Sequence, residues 1–308
     1  MSLPLSPNLR GSLFMAIAMA GFTANDAITK TMTGDMNTGQ VMLVRGLFAT
    51  LLIGLIAAHR GAFARPALVL NRLVAIRVAA EVVATVLFLI ALAKLPLANV
   101  SAVLQALPLA VTMGAALIFA ERVGWRRWLA IAVGFVGVMI IVRPGFEGFS
   151  VYSLVVLCSV LACMVRDLAT RQLSPEIPTL LVSTLTAGAV AVSGLLLTVP
   201  MGGWTAMTLP ETGSLAAAAV LLVIGYQFII MGMREGEISF IAPFRYTSLL
   251  WAILLGFLIF GDVPDQAMIC GAAIVVASGL YTLYRERIVS RRKPAATATR
   301  SPMAPEGV

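Results

Sequence analysis

Apolar residues run along the chain in ten long stretches separated by short polar breaks, the pattern of membrane-crossing helices rather than of a soluble fold. The stretches fall at about residues 11–32, 38–58, 73–93, 97–119, 125–142, 151–171, 179–200, 213–233, 238–260 and 265–284. Each approaches the roughly 20 residues that cross about 30 Å of hydrocarbon. Turn residues mark the breaks, among them Gly34 and Gly39, Gly61 and Pro66, Pro96, Pro144-Gly145, Pro175 and Pro178, Gly202-Gly203, and Pro264. A transmembrane barrel would instead show short segments of strict alternation. Ala18-Met19-Ala20 resembles a signal-peptide cleavage site, but the first stretch has a counterpart in the second half, which predicts a retained helix.

Polar interruptions of these stretches recur at one offset. Asp26, Thr29 and Lys30 are followed 141 positions later by Asp167, Thr170 and Arg171. Ser12-Leu13 match Ser153-Leu154, Leu117 and Phe119 match Leu258 and Phe260, and Glu121 matches Asp262 at the same spacing. A carboxylate at bilayer depth costs about 2.5–3.5 kcal/mol on insertion scales, so its appearance twice points to a duplicated machine. Five stretches per copy is an odd number, which turns the second copy upside down relative to the first. The expected fold is an all-α integral membrane protein whose ten transmembrane helices form two inverted five-helix repeats. Residues 11–142 and 151–284 are the expected repeats, 1–10 a cytoplasmic N-terminal segment, and 285–308 a basic, disordered cytoplasmic tail.

Composition removes the soluble alternatives: 60% of residues are hydrophobic, 12% are charged and the mean hydropathy is +0.97. A net charge of +8 in a soluble protein would raise nucleic acid as a partner. Here the Lys and Arg residues sit at the ends of the apolar stretches. With the N-terminus inside, fifteen of them fall on the cytoplasmic side and three (Lys30, Lys94 and Arg143) outside, which places both termini in the cytoplasm of a cell with the protein in its inner membrane. Cys158, Cys163 and Cys270 lack CxxC spacing and His59 has no neighbouring ligand residues, so no metal and no cofactor are expected. The chain has no HExxH, GxSxG or GKS/T motif and no His within a membrane stretch, which argues against an enzyme. The expected partners are a small-molecule substrate and the lipid bilayer, with a homodimer compatible and no nucleic acid.

Candidate functional residues are the polar groups within the stretches. Asp26 and Arg45 lie at similar depth, about 10 Å from one face, and are expected to pair, either as a structural bridge or as an outer gate or substrate anchor. Asp167 and Arg245 lie at comparable depth from the other face, with Glu81 and Arg77 approaching from the third stretch. Glu81 and Arg77 are four apart and could pair with each other; alternatively Asp167–Arg245 forms the symmetry mate of the outer pair. Asn25, Gln105, Tyr226, Gln227, Tyr246 and Trp251 are the uncharged polar or aromatic groups nearest mid-membrane, with Gln105 and Tyr246 equivalent in the repeat. Aromatic faces with amide donors suit a flat heterocycle. Packing is the competing account of the Tyr and Trp residues. Inverted repeats with paired intramembrane charges favour a carrier over a channel.

The chain resembles the EamA branch of the drug/metabolite transporter superfamily over about residues 11–284. The resemblance rests on Pro108 followed by Phe119-Ala120-Glu121-Arg122, Trp128, Gly134 and Gly137, and on Phe260-Gly261-Asp262 followed by Gly271 and Gly279. Leu249 stands where the second copy often has proline, which leaves Pro243 to break that helix. The resemblance implies a central cavity between the halves and secondary transport of a small polar metabolite by alternating access. Gly21 through Ala27 and Gln40 through Gly46 look like the bacterial riboflavin-uptake members, so riboflavin uptake is the narrower expectation and export of amino acids or related metabolites the alternative.

Overall fold

A computed structural model describes residues 6–121, 123–145, 149–235 and 237–292; Arg122 and the tail from residue 293 lie outside the described residues. Ten helices among them are long and apolar enough to cross a membrane. Span one is α1 (Pro7–Met32), span two α2 (Thr38–His59) and span three α3 (Arg72–Leu92). Span four is broken into α4 (Leu97–Leu104) and α5 (Leu107–Ile118), and span five is α6 (Trp125–Val142). The second repeat runs α7 (Val151–Arg171), α8 (Thr179–Thr198) and α9 (Leu209–Glu235). Its fourth span is α10 (Ile238–Ile241), a 3₁₀ turn Ala242–Tyr246 and α11 (Thr247–Phe260), and α12 (Gln266–Arg292) closes the chain.

Helix ends follow local chemistry. α1 begins at Pro7, earlier than the hydrophobic pattern implies, because Ser6 caps it by accepting from the Leu9 N–H and Pro7 has the φ and the missing donor suited to a first helical position. α12 continues to Arg292, so residues 285–292 are helical rather than disordered; neither Gly nor Pro interrupts them before Pro294. Both broken spans carry proline at the break. Pro108 has no N–H for the Leu104 carbonyl, and the chain turns at Gln105-Ala106; Pro243 sits in the 3₁₀ turn of the second copy.

Helix pairing displays the inverted repeat. α1 packs along α9 and against α11, while their equivalents α7, α3 and α5 pack together in the same way. These two three-span bundles are flanked by the self-equivalent pairs α2–α8 and α6–α12. Such pairs need close backbones: a Cβ on Gly194 would lie 2.5 Å from the Leu43 nitrogen, and one on Gly271 2.6 Å from the Gly137 oxygen. Leu47, Leu51 and Leu55 form an exposed apolar stripe on α2, as a lipid-facing surface requires. The chain is therefore a multi-pass membrane protein.

The symmetry is broken where the two bundles meet. α1 touches α3 and α4, and α4 packs against α11, at the face where α1 ends. The equivalent contacts of α7 with α9 and of α5 with Ile238–Tyr246, at the face where α1 begins, are not comparably made. The bundles meet at one face and separate at the other. The separated face carries Arg10, Arg60, Arg65, Arg72, Arg126, Arg127, Arg171 and Arg234, and is called the basic face below.

Candidate functional site

Between the two bundles lies a cavity of about 440 Å³, lined by α1, α3, α4, α5, α7, α9 and the start of α11. Asn25, Asp26, Glu81, Gln105, Asp167, Tyr226 and Arg245 all line it. Arg45 lines an adjoining cavity of about 140 Å³, and Arg77, Glu81, Thr85, Leu222 and Tyr226 border both. Nine of the twelve residues singled out from sequence, Arg77 included, thus line these two adjoining cavities; Gln227 lines neither.

Tyr246 and Trp251 are not among them. The Tyr246 phenol points at α12, directly against Gly279, and its buried hydroxyl has no hydrogen-bond partner among the described residues. Repeat equivalence with Gln105 fails to carry over because span four breaks at a two-residue turn and span nine at a 3₁₀ turn, which aims the side chain differently. Tyr246 instead borders an apolar groove of about 490 Å³ between α11 and α12. Trp251 packs against the buried cluster of Met15, Ala18, Met19 and Ile241, as a structural tryptophan would.

The charges pair differently from expectation. Asn25 stands between Asp26 and Arg45: its amide nitrogen donates to the Asp26 carboxylate at 2.9 Å and its oxygen accepts from Arg45 Nη1 at 3.2 Å. Arg45, only 9% exposed, also donates to Thr29 at 3.4 Å. Asp26 therefore reaches Arg45 through a neutral relay.

In the second repeat the residue equivalent to Asn25 is Arg166, and it replaces the relay with a clamp. Its Nε donates to Asp167 at 2.8 Å and its Nη1 to Glu81 at 3.0 Å, tying α7 to α3. This displaces both expected pairs, Asp167–Arg245 and Glu81–Arg77. Arg77 donates instead to Thr170 at 3.0 Å and Thr186 at 2.6 Å. Thr186 is the repeat equivalent of Arg45, and in each half a guanidinium bonds the threonine shared at the 141 offset, Arg45 to Thr29 and Arg77 to Thr170, from different helices. Arg166 was legible as the partner of Asn25 at the 141 offset; its reach to Glu81 was not.

Uncharged groups complete the wall. Gln105 donates to the Ser248 hydroxyl at 2.6 Å, joining the two broken spans at mid-membrane. Phe22 meets Tyr226 edge-on at 5.1 Å between centroids, and Phe88, Ser101 and Thr85 add an aromatic face and hydroxyls. Among the described residues no group of three or more His, Cys, Asp or Glu is placed to hold a metal. The site can offer aromatic surface, amide and hydroxyl hydrogen bonds, and charges of both signs to a small solute.

Residues 9–143, the first repeat, match the EamA-like transporter family. A riboflavin transporter of Vibrio cholerae is 32% identical over 71% of this chain and 73% of its own length. The chain belongs to the EamA-like transporter family. A riboflavin transporter of Rhizobium johnstonii is 29% identical over 66% of this chain and 67% of its own length. A pseudopaline exporter of Pseudomonas aeruginosa is 27% identical over 87% and 94%, and other relatives are named S-adenosylmethionine uptake transporters. A solved crystal structure shares the fold at a TM-score of 0.60, with 18% identity, 90% of this chain and 98% of that chain covered. For this EamA member, relatives of both transport directions set the family and leave the substrate to the site.

Proposed function

We propose that this protein is a secondary carrier of the bacterial inner membrane, with both termini cytoplasmic, that takes up riboflavin by alternating access. The cavity carries the reading. Its volume lies within the range of about 300–1,000 Å³ typical of small-molecule sites. Phe22, Phe88 and Tyr226 offer faces and edges to a flat tricyclic ring, and Gln105, Ser101 and Thr85 offer donors and acceptors to its edge and to a hydroxylated side chain. Similarity to two riboflavin transporters supports the same substrate. The cytoplasmic placement of the basic face follows the positive-inside rule.

Broken spans suit a carrier. Non-helical backbone at membrane depth is tolerated where it borders a polar cavity, and here both breaks do so. Asp26, Asn25 and Arg45 on one side of the cavity and Glu81, Arg166 and Asp167 on the other are the proposed anchoring and gating charges. The test is growth of a riboflavin auxotroph at limiting vitamin: rescue by the expressed protein is expected, and no rescue despite normal membrane levels rejects riboflavin. The near full-length similarity to a pseudopaline exporter favours metabolite export as a second reading, which net efflux from preloaded vesicles would reveal.

A further inference from the structure

Two cations at the same repeat position are bonded in different ways. Lys30 ends α1 at the closed face, and its ammonium donates to the Leu92 and Leu95 carbonyls at 2.9 and 2.6 Å. Those carbonyls belong to the other bundle, at the junction of α3 and α4. Asp262, just past the end of α11 in the same bundle, is the acid whose charge acts on Lys30, yet no ion pair joins them. Among the described residues one buried oxygen of Asp262 finds no hydrogen bond, and Lys30 sits 5.3 Å from the centroid of Phe260. An unpaired buried carboxylate oxygen is costly, so this contact is one the structure forgoes in its present state.

Arg171, the equivalent of Lys30, does the opposite. It pairs at 2.7 Å with Glu121, the equivalent of Asp262, within its own bundle at the open basic face. The carbonyls equivalent to those that hold Lys30 lie at the end of α9 around Met233, in the other bundle. Where a cation crosses, the bundles touch; where it stays at home, they separate.

We infer that Lys30 and Arg171 are reciprocal latches of the transport cycle, each exchanging the acid of its own bundle for backbone carbonyls of the opposite bundle. In the structure described, Lys30 crosses and the face where α1 ends is shut. In the alternate state Lys30 returns to Asp262, Arg171 leaves Glu121 for the α9 carbonyls, and the basic face shuts. Each cation thus has a partner in either state, while the acid it leaves on crossing goes unpaired, as Asp262 does here. This inference rests on alternating access but not on riboflavin as substrate.

Single reporter cysteines at Ser101, near the shut face, and Ile229, near the basic face, placed in the full chain lacking its three native cysteines, read the two states by labelling with a membrane-impermeant thiol reagent. Lys30→Gln and Glu121→Gln should both raise labelling at Ser101→Cys and lower it at Ile229→Cys. Asp262→Asn should do the reverse. Loss of one charge-assisted hydrogen bond implies changes of about tenfold. Lys30→Arg, which retains the donor, should label like the parent and guards against misfolding of Lys30→Gln. Shifts of the same sign for Lys30→Gln and Asp262→Asn, or none in either, overturn the latch. If both reporters label fully and independently in the parent, alternating access itself fails and takes the latch with it.

Discussion

Removing the Arg166 clamp tests the energetics of the site on geometry alone. Arg166 makes two charge-assisted hydrogen bonds, at 3.0 Å to Glu81 and 2.8 Å to Asp167, with side chains 21%, 19% and 34% exposed. Bonds to charged groups contribute about 1.5–3 kcal/mol each when buried. Discounting by roughly half for screening leaves about 1.5–3 kcal/mol for the pair together. Arg166→Gln additionally leaves two carboxylates facing one another across α3 and α7, so the loss should fall at the upper end. Unfolding free energies from SDS titration in mixed micelles would measure it, with Glu81→Gln and the double variant completing a cycle. A coupling of at least about 1 kcal/mol between Arg166 and Glu81 is expected. Additivity within about 0.3–0.5 kcal/mol would refute the clamp, since that is the behaviour of independent sites.

Other parts of the account are open to equally direct checks. Asp26→Asn, Arg45→Ala and Asn25→Ala should each reduce uptake at least about tenfold while the protein stays in the membrane, because the relay fails wherever it is cut; normal uptake by all three, measured with radiolabelled substrate, would reduce the relay to scaffold. Gly194→Ala should destabilise by about 1–3 kcal/mol, since its methyl group would press on the Leu43 nitrogen and the Gly39 oxygen, backbone atoms that cannot swing aside; denaturant titration reads this. Asp265 caps α12, and the Met268 N–H, with help from Arg143, holds its carboxyl below the ordinary value of 3.8. A depressed carboxylate stabilises the fold above its unfolded value, and that contribution disappears as pH falls from about 3.8 through the lower folded value. Asp265→Asn should therefore flatten the acid limb of the stability–pH curve, by well under about 1 kcal/mol for so exposed a pair.

Much of the architecture was legible because lipid imposes a simple code. Continuous apolar stretches gave the ten spans, and the 141 offset of Asp26 and Asp167 gave their inversion. The early start of α1 was also written in the chain, as Ser6-Pro7, but in capping chemistry rather than hydrophobicity. Side-chain partners were harder. Depth along a helix located Glu81, Asp167 and Arg245 near one another, but which guanidinium reaches which carboxylate depends on the rotation of α3 against α7, information that no single-span pattern holds. Tyr246 and Trp251 show the same limit: position fixed their depth, while the 3₁₀ turn and the α1 interface fixed their direction, away from the cavity. The asymmetry between Lys30 and Arg171 belongs to a conformational state, and two equivalent residues in a sequence say nothing about which is engaged.

Counter-flow of radiolabelled riboflavin into proteoliposomes holding the purified protein addresses the carrier reading most directly. Vesicles preloaded with unlabelled riboflavin should accumulate the label transiently and saturably, and Asp26→Asn should abolish the overshoot. Equilibration without overshoot would mean a channel, and no entry at all by correctly folded protein would contradict riboflavin as its cargo.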